Sequence, residues 1–139
     1  MRYTGRMRIL HTSDWHLGRT LHGRSRAAEH EAFLDELVDL AGEVDLVLVS
    51  GDVFESTNPP IDAEQLYFDA LARLGDGGRR GVVVIAGNHD SPDRLRASAP
   101  LCERHGVWVL GRPGDRPSGR EGPAPASEGS GWWARVPPR

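Results

Sequence analysis

The sequence predicts an α/β fold with the element order β-α-β-α-β-α-β, in which helices cover a mainly parallel sheet. Two observations predict this class. Short apolar runs rich in β-branched residues, such as Val82–Ile85, alternate with longer segments whose apolar residues recur at helical spacing. In addition, each of the first three runs is followed by a cluster of aspartate, histidine or asparagine, which is where α/β sheets place ligand sites.

The first half of the chain supplies two strands and a helix. Strand one is predicted at Met7–Thr12, and helical periodicity predicts helix one at Arg26–Gly42, which a glycine is suited to end. Strand two, Val44–Ser50, is almost entirely apolar, as is typical of a strand that is covered on both faces.

The next segments supply a helix and a strand. Helix two starts at Asp62, with Gln65 three residues later as a candidate capping box, and glycines from Gly75 onward end it. Strand three is predicted at Gly81–Ala86 because that run is continuously apolar and β-branched.

The last ordered elements are a broken helix and a strand. Helix three is expected to open with Ser91 as its N-cap and Pro92 at its first position, and to break into two short helices at Pro100. Strand four at Val107–Leu110 ends the ordered part, so residues 7–110 form the predicted domain.

Both ends of the chain lack a periodic pattern. Residues 111–139 have the composition of a disordered tail, because 15 of these 29 residues are Gly, Pro or Ser. The segment Met1–Arg6 adds nothing periodic, so Met7 is a candidate start of the protein.

Charge and composition narrow the classes of partner and compartment. The net charge of −3 gives no bulk signal for nucleic acid, although residues 1–26 hold six arginines against one acid. Cys102 is the only cysteine, so no disulfide forms within the chain, and a reducing, cytoplasmic compartment is expected. No apolar run has the length of a transmembrane helix, and the N-terminus lacks the pattern of a signal peptide.

The polar clusters carry the ligand types of a divalent metal site. Asp14 and His16 are one residue apart, so in an extended segment both side chains point the same way and can chelate one ion. Asp52 can bridge two ions, because each carboxylate oxygen can bind one, and Asn88 offers an amide oxygen to the second. His89 is then suited to protonate a leaving oxygen or to hold a phosphate oxygen. Each motif alone is also typical of an ordinary turn, but their ordered combination predicts a two-metal hydrolase.

These motifs resemble those of the calcineurin-like metallophosphoesterases, and their surroundings resemble the bacterial SbcD nuclease family in particular. The similarity covers residues 7–110 and rests on three segments: Leu10–Arg19 (LHTSDWHLGR), Ser50–Phe54 (SGDVF) followed by Pro59-Pro60, and Gly87–Pro92 (GNHDSP) followed by Arg94-Leu95.

The resemblance implies the N-terminal part of a metallophosphoesterase sandwich. It also implies an ATP-dependent DNA exonuclease and endonuclease that works with an SbcC-type ATPase subunit and forms a homodimer in the full-length protein. The cofactors implied are two divalent metal ions, of which Mn²⁺ is the expected kind. Asp14 and His16 would bind the first ion, Asp52 would bridge, Asn88 would bind the second, and His89 would be the catalytic histidine.

Two further motifs of the family, a lone histidine and a Gly-His-x-His pair, have no match in this sequence. After His89 the only histidine is His105, which lies in a predicted turn and is expected at the surface. We therefore expect an N-terminal fragment whose second ion keeps only Asp52 and Asn88 as protein ligands, and whose nuclease activity is weak or absent. Two alternatives stay open: a non-catalytic fragment or pseudoenzyme, and a different small metallophosphoesterase.

Residues near the motifs have further expected roles. His22 and Arg24, in the loop after the first motif, are candidate contacts to DNA phosphate, or else belong to a solvated loop. Structural roles are expected of His11 (hydrogen bonding), Trp15 (packing beneath the site, with stacking on a base as the alternative), His30 (a surface position), Arg94 (pairing with Asp90 or Asp93) and Cys102 (a small buried apolar residue). Glu55 is not expected to be a ligand.

Overall fold

The computed structural model describes residues 6–116, which form a four-stranded parallel sheet with helices packed on it. The elements follow one another as β1 (Ile9–Thr12), β2 (Thr20–Leu21), β3 (Arg24–Ser25), α1 (Ala27–Ala41), β4 (Leu46–Ser50), α2 (Ile61–Gly75), β5 (Gly81–Ile85), α3 (Pro92–Arg96), α4 (Ala99–Cys102) and β6 (Val107–Leu110). Short 3₁₀ turns follow α2 and α4. The predicted α/β class and the four predicted sheet strands are confirmed.

The strands of the main sheet lie side by side in chain order, β1-β4-β5-β6, and each neighbouring pair is parallel. Right-handed crossovers that always step in one direction pass over the same side of a sheet, so the helices gather on one face. The carboxyl ends of β1, β4 and β5 meet at one edge, where Thr12 pairs with Val49 and Ser50 pairs with Ile85.

The hydrophobic core lies between this helical layer and one face of the sheet. Val47, Val49, Val82 and Val84 point into it from the two central strands and are almost completely buried. The helices contribute much of the rest of the core, including Leu34, Leu37, Ala63, Tyr67, Leu71, Leu74, Leu95 and Ala99.

The opposite face of the sheet is also apolar. Leu48, Val83 and Trp108 are neighbours across its centre, and Ile9 and Ile85 on the same face are about half exposed. None of these side chains belongs to the core that the helices form within residues 6–116. The nearly continuous apolar composition of β4 and β5 therefore predicted two covered faces, but among the described residues helices cover only one.

Helix starts follow the predicted signals in one case and not in another. Ser91 caps α3, because its hydroxyl oxygen accepts the backbone N–H of Arg94 at 3.3 Å. The predicted capping box of α2 is wrong, since the helix begins at Ile61 after Pro60 and no side chain caps it. Asp62 instead accepts the adjacent N–H of Ala63 at 2.9 Å.

The third helical segment breaks into α3 and α4, as predicted. The break falls between Arg96 and Ala99, slightly before the expected position. Pro100 lies in the first turn of α4, where its missing N–H has no helical acceptor to lose.

A small hairpin interrupts the connection between β1 and α1 and was not predicted. Strands β2 and β3 pair antiparallel, with Leu21 opposite Arg24. The two turn residues, His22 and Gly23, both have positive φ (49° and 75°), as a two-residue turn of the I′ kind requires.

Residues after β6 contact α3. Arg112 pairs with Asp93 at 2.9 Å, and Arg96 pairs with Asp115 at 3.1 Å. The predicted tail lies outside the described residues from position 117 onward. Within residues 6–116, no helix combines the length and the apolar composition that crossing a bilayer requires.

Two adjacent residues of β5 test the one-sided covering of the sheet. Val84 is fully buried under the helices, whereas Ile85 is 45% exposed on the other face. Val84→Thr places a hydroxyl in the core and is expected to lower the free energy of unfolding by about 1–3 kcal/mol. Ile85→Thr keeps the β-branch and faces solvent, so its effect should stay within about 0.5 kcal/mol. Urea denaturation of both variants measures this, and equal losses would contradict the one-sided core.

Candidate metal centre

The loops that leave β1 and β4 run side by side beyond the edge of the sheet. The backbone N–H of Asp14 donates to the carbonyl of Gly51 at 3.0 Å, and that of His16 donates to the carbonyl of Asp52 at 3.0 Å. Leu17 continues the ladder by donating to the carbonyl of Val53 at 2.9 Å. Backbone pairing therefore sets the positions of Asp14 and His16 relative to Asp52.

Three of the predicted ligands have left-handed backbone conformations. Asp14, His16 and Asp52 have φ values of 57°, 49° and 50°, which few residues other than glycine adopt. Each such residue costs on the order of 1–3 kcal/mol, and this kind of strain is concentrated at functional sites. The extended geometry expected for Asp14–His16 is wrong, because the side chains converge through backbone turns instead.

The side chains of these three residues form one group of donors. The Asp14 Oδ1 and His16 Nε2 atoms are 3.6 Å apart, and one donor atom from each of Asp14, His16 and Asp52 lies within 4.8 Å of the others. Two carboxylates and an imidazole suit a divalent ion such as Mn²⁺, Fe²⁺ or Zn²⁺. The residues present therefore fit a metal.

The turn after β5 brings the third motif to the same place. The backbone N–H of His89 donates to Asp52 Oδ1 at 3.0 Å, and the rings of His89 and His16 meet edge to face with centroids 5.1 Å apart. Asn88 lies in the same turn, between Gly87 and His89. All five residues proposed from the sequence thus lie at one edge of the sheet.

Sequence reasoning missed the part that Glu55 plays. Its Oε2 atom lies 3.0 Å from His16 Nδ1, and both atoms are buried without a regular hydrogen bond among residues 6–116. His16, Glu55 and His89 form a second, overlapping group of three possible donors. The available signal was its position three residues after Asp52 in the same loop.

His89 is held by the backbone of this same loop. Its Nδ1 lies 2.9 Å from the carbonyl oxygen of Glu55, an acceptor, so Nδ1 carries a proton. This hydrogen bond is the main cause that raises the pKa of His89 above its ordinary value, and the nearby carboxylates of Asp52, Glu55 and Asp90 add to it against the effect of desolvation. The Nε2 atom is left for another partner.

Asp90 joins the second and third motifs. It is buried, and its carboxylate accepts backbone N–H groups from Gly87 at 2.8 Å, Phe54 at 2.8 Å and Val53 at 3.2 Å. The loops that carry Asp52 and His89 are therefore fixed to each other by one side chain.

Arg94 does not pair with Asp90 or Asp93, contrary to the prediction. Its guanidinium binds Glu64 at 2.7 Å and Asn58 at 3.1 Å, across the gap between α3 and α2. Backbone N–H groups already donate hydrogen bonds to the Asp90 carboxylate, so it does not require an ion-pair partner.

His30 is buried at 8% exposure, so the predicted surface position is wrong. The missed signal is spacing, because His30 lies four and seven residues before the buried Leu34 and Leu37 of α1. Burial, followed by the charge of Arg26, lowers the pKa of His30 below its ordinary value.

The sequence also predicted positions for four other residues. Trp15 is buried beneath the site and donates its indole N–H to the hydroxyl of Thr12 at 2.9 Å. The His11 ring contacts the Ser50 hydroxyl at 2.6 Å. His105 is exposed, and Cys102 is half-buried against the core.

His22 and Arg24 lie on the exposed hairpin of β2 and β3. The recess next to Asp14 and His16 is lined by two other arginines, Arg19 and Arg26. Contact of His22 and Arg24 with DNA phosphate stays a prediction.

Gly87 supplies the space that Asp52 occupies. A Cβ atom at Gly87 would lie 2.2 Å from Asp52 Oδ1 and 2.3 Å from its backbone nitrogen. Gly87→Ala must therefore displace Asp52, and we expect a loss of Mn²⁺ affinity of at least about tenfold together with about 1–3 kcal/mol of stability. Calorimetric titration with Mn²⁺ measures the first effect and urea denaturation the second.

The matched control for Gly87→Ala is Gly23→Ala. Gly23 has φ of 75°, but a Cβ atom at this position would meet no other atom within 4 Å. The substitution therefore strains the hairpin by about 1–2 kcal/mol without touching the site. Its Mn²⁺ affinity should equal that of the unmodified chain. Unchanged affinity in Gly87→Ala would contradict the role of Asp52.

The chain is similar in sequence to known nuclease subunits. The chain is 50% identical over 113 residues to the SbcD subunit of the SbcCD nuclease from Bacillus subtilis strain 168, and 44% identical over 113 residues to the same subunit from Escherichia coli K12. Each match covers 80% of this chain but only 29% and 28% of the relative, so the chain spans less than a third of their length. A crystal structure of Pseudomonas putida nuclease MPE is similar at 21% identity and a TM-score of 0.45, over 78% of this chain and 50% of that one.

The family description that matches this chain is that of the calcineurin-like phosphoesterases. It aligns with residues 7–134, which is most of the chain and includes all three donor-bearing loops. This protein therefore belongs to the calcineurin-like phosphoesterase family.

Proposed function

We propose that this chain carries the metal-binding half of a DNA nuclease that hydrolyses phosphodiester bonds. The observation that carries the proposal is the convergence of Asp14, His16 and Asp52 at one edge of the sheet, with His89 bound to Asp52. The relatives at 44% and 50% identity are named nuclease subunits, which supports DNA as the substrate class.

The donors divide between two ions in this proposal. Asp14 and His16 would hold the first, Asn88 would hold the second, and Asp52 would be shared by both. We propose Mn²⁺ for both, since carboxylate, amide and imidazole donors suit it. When bound, such ions polarise a phosphoryl oxygen and lower the pKa of water.

His89 acts on the leaving group. Its Nδ1–H is committed to the carbonyl of Glu55 at 2.9 Å, so Nε2 is the atom that can hold a proton for the departing oxygen. The contact with Asp52 fixes the backbone of His89 and hence the reach of its ring. Glu55 holds the other side of His16, which keeps the two imidazoles edge to face.

The second ion has few donors in this chain. Beyond Asp52 and Asn88, the only histidine that follows His89 is His105, which is exposed in a turn before Gly106. We propose that a complete site takes further donors from a longer protein, and that this chain alone binds one ion more tightly than the other and cleaves weakly.

The partners are an SbcC-type ATPase subunit, which would make cleavage ATP-dependent, and a second copy of the chain. Ile61 and Phe68, exposed and seven residues apart on one side of α2, provide apolar surface for that second copy.

Sedimentation of the chain with and without such an ATPase subunit tests both proposed partners. A chain that sediments as a monomer and binds no ATPase subunit would contradict both.

A paired metal and cleavage assay tests the proposed function. Mn²⁺ binding is measured by calorimetry, and cleavage of end-labelled single-stranded DNA is followed on the same samples. We expect at least one bound ion and slow, Mn²⁺-dependent cleavage, with both lost in Asp52→Ala because the shared ligand is gone. The matched control is Asp69→Ala on α2, an exposed carboxylate that pairs with Arg73, which should leave both unchanged.

Three results would overturn parts of this proposal. Equal Mn²⁺ affinity in Asp52→Ala and the unmodified chain would contradict the proposed metal site. Hydrolysis of a small aryl phosphate with no cleavage of DNA would favour a different phosphoesterase. Metal binding with neither activity, even after a C-terminal half from a relative is appended, would favour a non-catalytic protein.

A further inference from the structure

A recess lies beside the donor group, on the side of α1. It has a volume of about 350 Å³, within the range of about 300–1,000 Å³ typical of small-ligand pockets. Its walls are the loop after β1 and the first two turns of α1. Asp14 and His16 line both the recess and the metal centre, so an occupant would adjoin the reacting phosphate.

Two arginines line the recess, and they differ in whether the guanidinium is already in an ion pair. Arg26 is engaged in an ion pair with Glu29, which also lines the recess. Arg19 is exposed and has no ion-pair partner among residues 6–116. A guanidinium in this setting is suited to bind phosphate oxygens.

An aromatic wall faces these cations. Phe33 is 39% exposed, and its ring packs against Trp15 edge to face, with centroids 6.4 Å apart at 71°. Trp15 is buried and fixes the wall, while the exposed part of Phe33 offers a surface on which a base can stack. His30 lines the same recess and can exchange a hydrogen bond with a base edge.

We propose that this recess binds one nucleotide of a single DNA strand next to the phosphate held at the metal centre, with its base on Phe33 and its flanking phosphate on Arg19. The inference rests on the proposed function, since DNA is the substrate in that proposal. The strand is single because a base can reach a recess only after it leaves the helical stack.

Binding of short oligonucleotides without metal tests the recess. The probe is a fluorescein-labelled oligothymidylate, and its affinity is read by anisotropy. We expect Phe33→Ala and Arg19→Ala each to weaken binding about tenfold, as loss of base stacking or of a phosphate contact does. The matched controls are Leu101→Ala and Arg104→Ala, an exposed apolar residue and an exposed arginine away from the recess, which should bind as the unmodified chain does.

An abasic probe separates stacking from a general structural effect. Phe33→Ala should lose affinity for oligothymidylate but not for an abasic oligomer of the same length. Arg19→Ala should lose affinity for both probes and reduce the salt dependence by about one phosphate contact.

The outcomes distinguish this inference from the proposed function. If the recess variants bind both probes as the unmodified chain does while Mn²⁺-dependent cleavage persists, the recess proposal fails alone. If Phe33→Ala weakens both probes equally, base stacking is excluded and the recess proposal fails. If the unmodified chain neither binds nor cleaves any oligonucleotide, the DNA substrate fails and the recess proposal fails with it.

Discussion

The site depends on the three hydrogen bonds that the Asp90 carboxylate accepts from backbone amides. A buried carboxylate is costly unless charged or polar partners replace its hydration, and here the amides of Gly87, Phe54 and Val53 do so. These amides belong to two different loops, so satisfying Asp90 fixes one loop against the other. The carboxylate of Asp52 and the ring of His89 are then positioned without any direct contact from Asp90.

The topology of the sheet explains why the donors meet. Parallel strands in chain order bring successive carboxyl ends to one edge, and β1, β4 and β5 each lead into a loop with one or two donors. Backbone pairing between the loops after β1 and β4 then extends the sheet by a few residues. The left-handed conformations of Asp14, His16 and Asp52 turn the side chains toward one another at that point. The same topology places the helices on one face and leaves the apolar second face outside their core.

Much of the fold and of the candidate site could be predicted from the sequence, because hydrophobic periodicity and the order of the motifs can be read directly along the chain. The four strands, the Ser91 cap and the approach of Asp14, Asp52 and His89 follow from them. Two features could not be predicted in the same way. Aspartate and histidine adopt left-handed φ values more often than most residues, but no local pattern marks the positions at which they do so, and the pairing of Arg94 with Glu64 spans thirty residues. The burial of His30 could have been predicted from the helical spacing of α1, but its polar side chain favoured a surface position.

Diffraction from crystals of this chain grown with Mn²⁺ is the decisive measurement of the metal site, because anomalous scattering locates the metal without reference to activity. We expect a strong anomalous peak between Asp14, His16 and Asp52. We also expect a weaker peak about 3.5–4 Å away, on the side of Asn88, with Asp52 in contact with both. A well-ordered site without a peak at Asp52, or a metal bound only elsewhere on the surface, would contradict the proposed metal site.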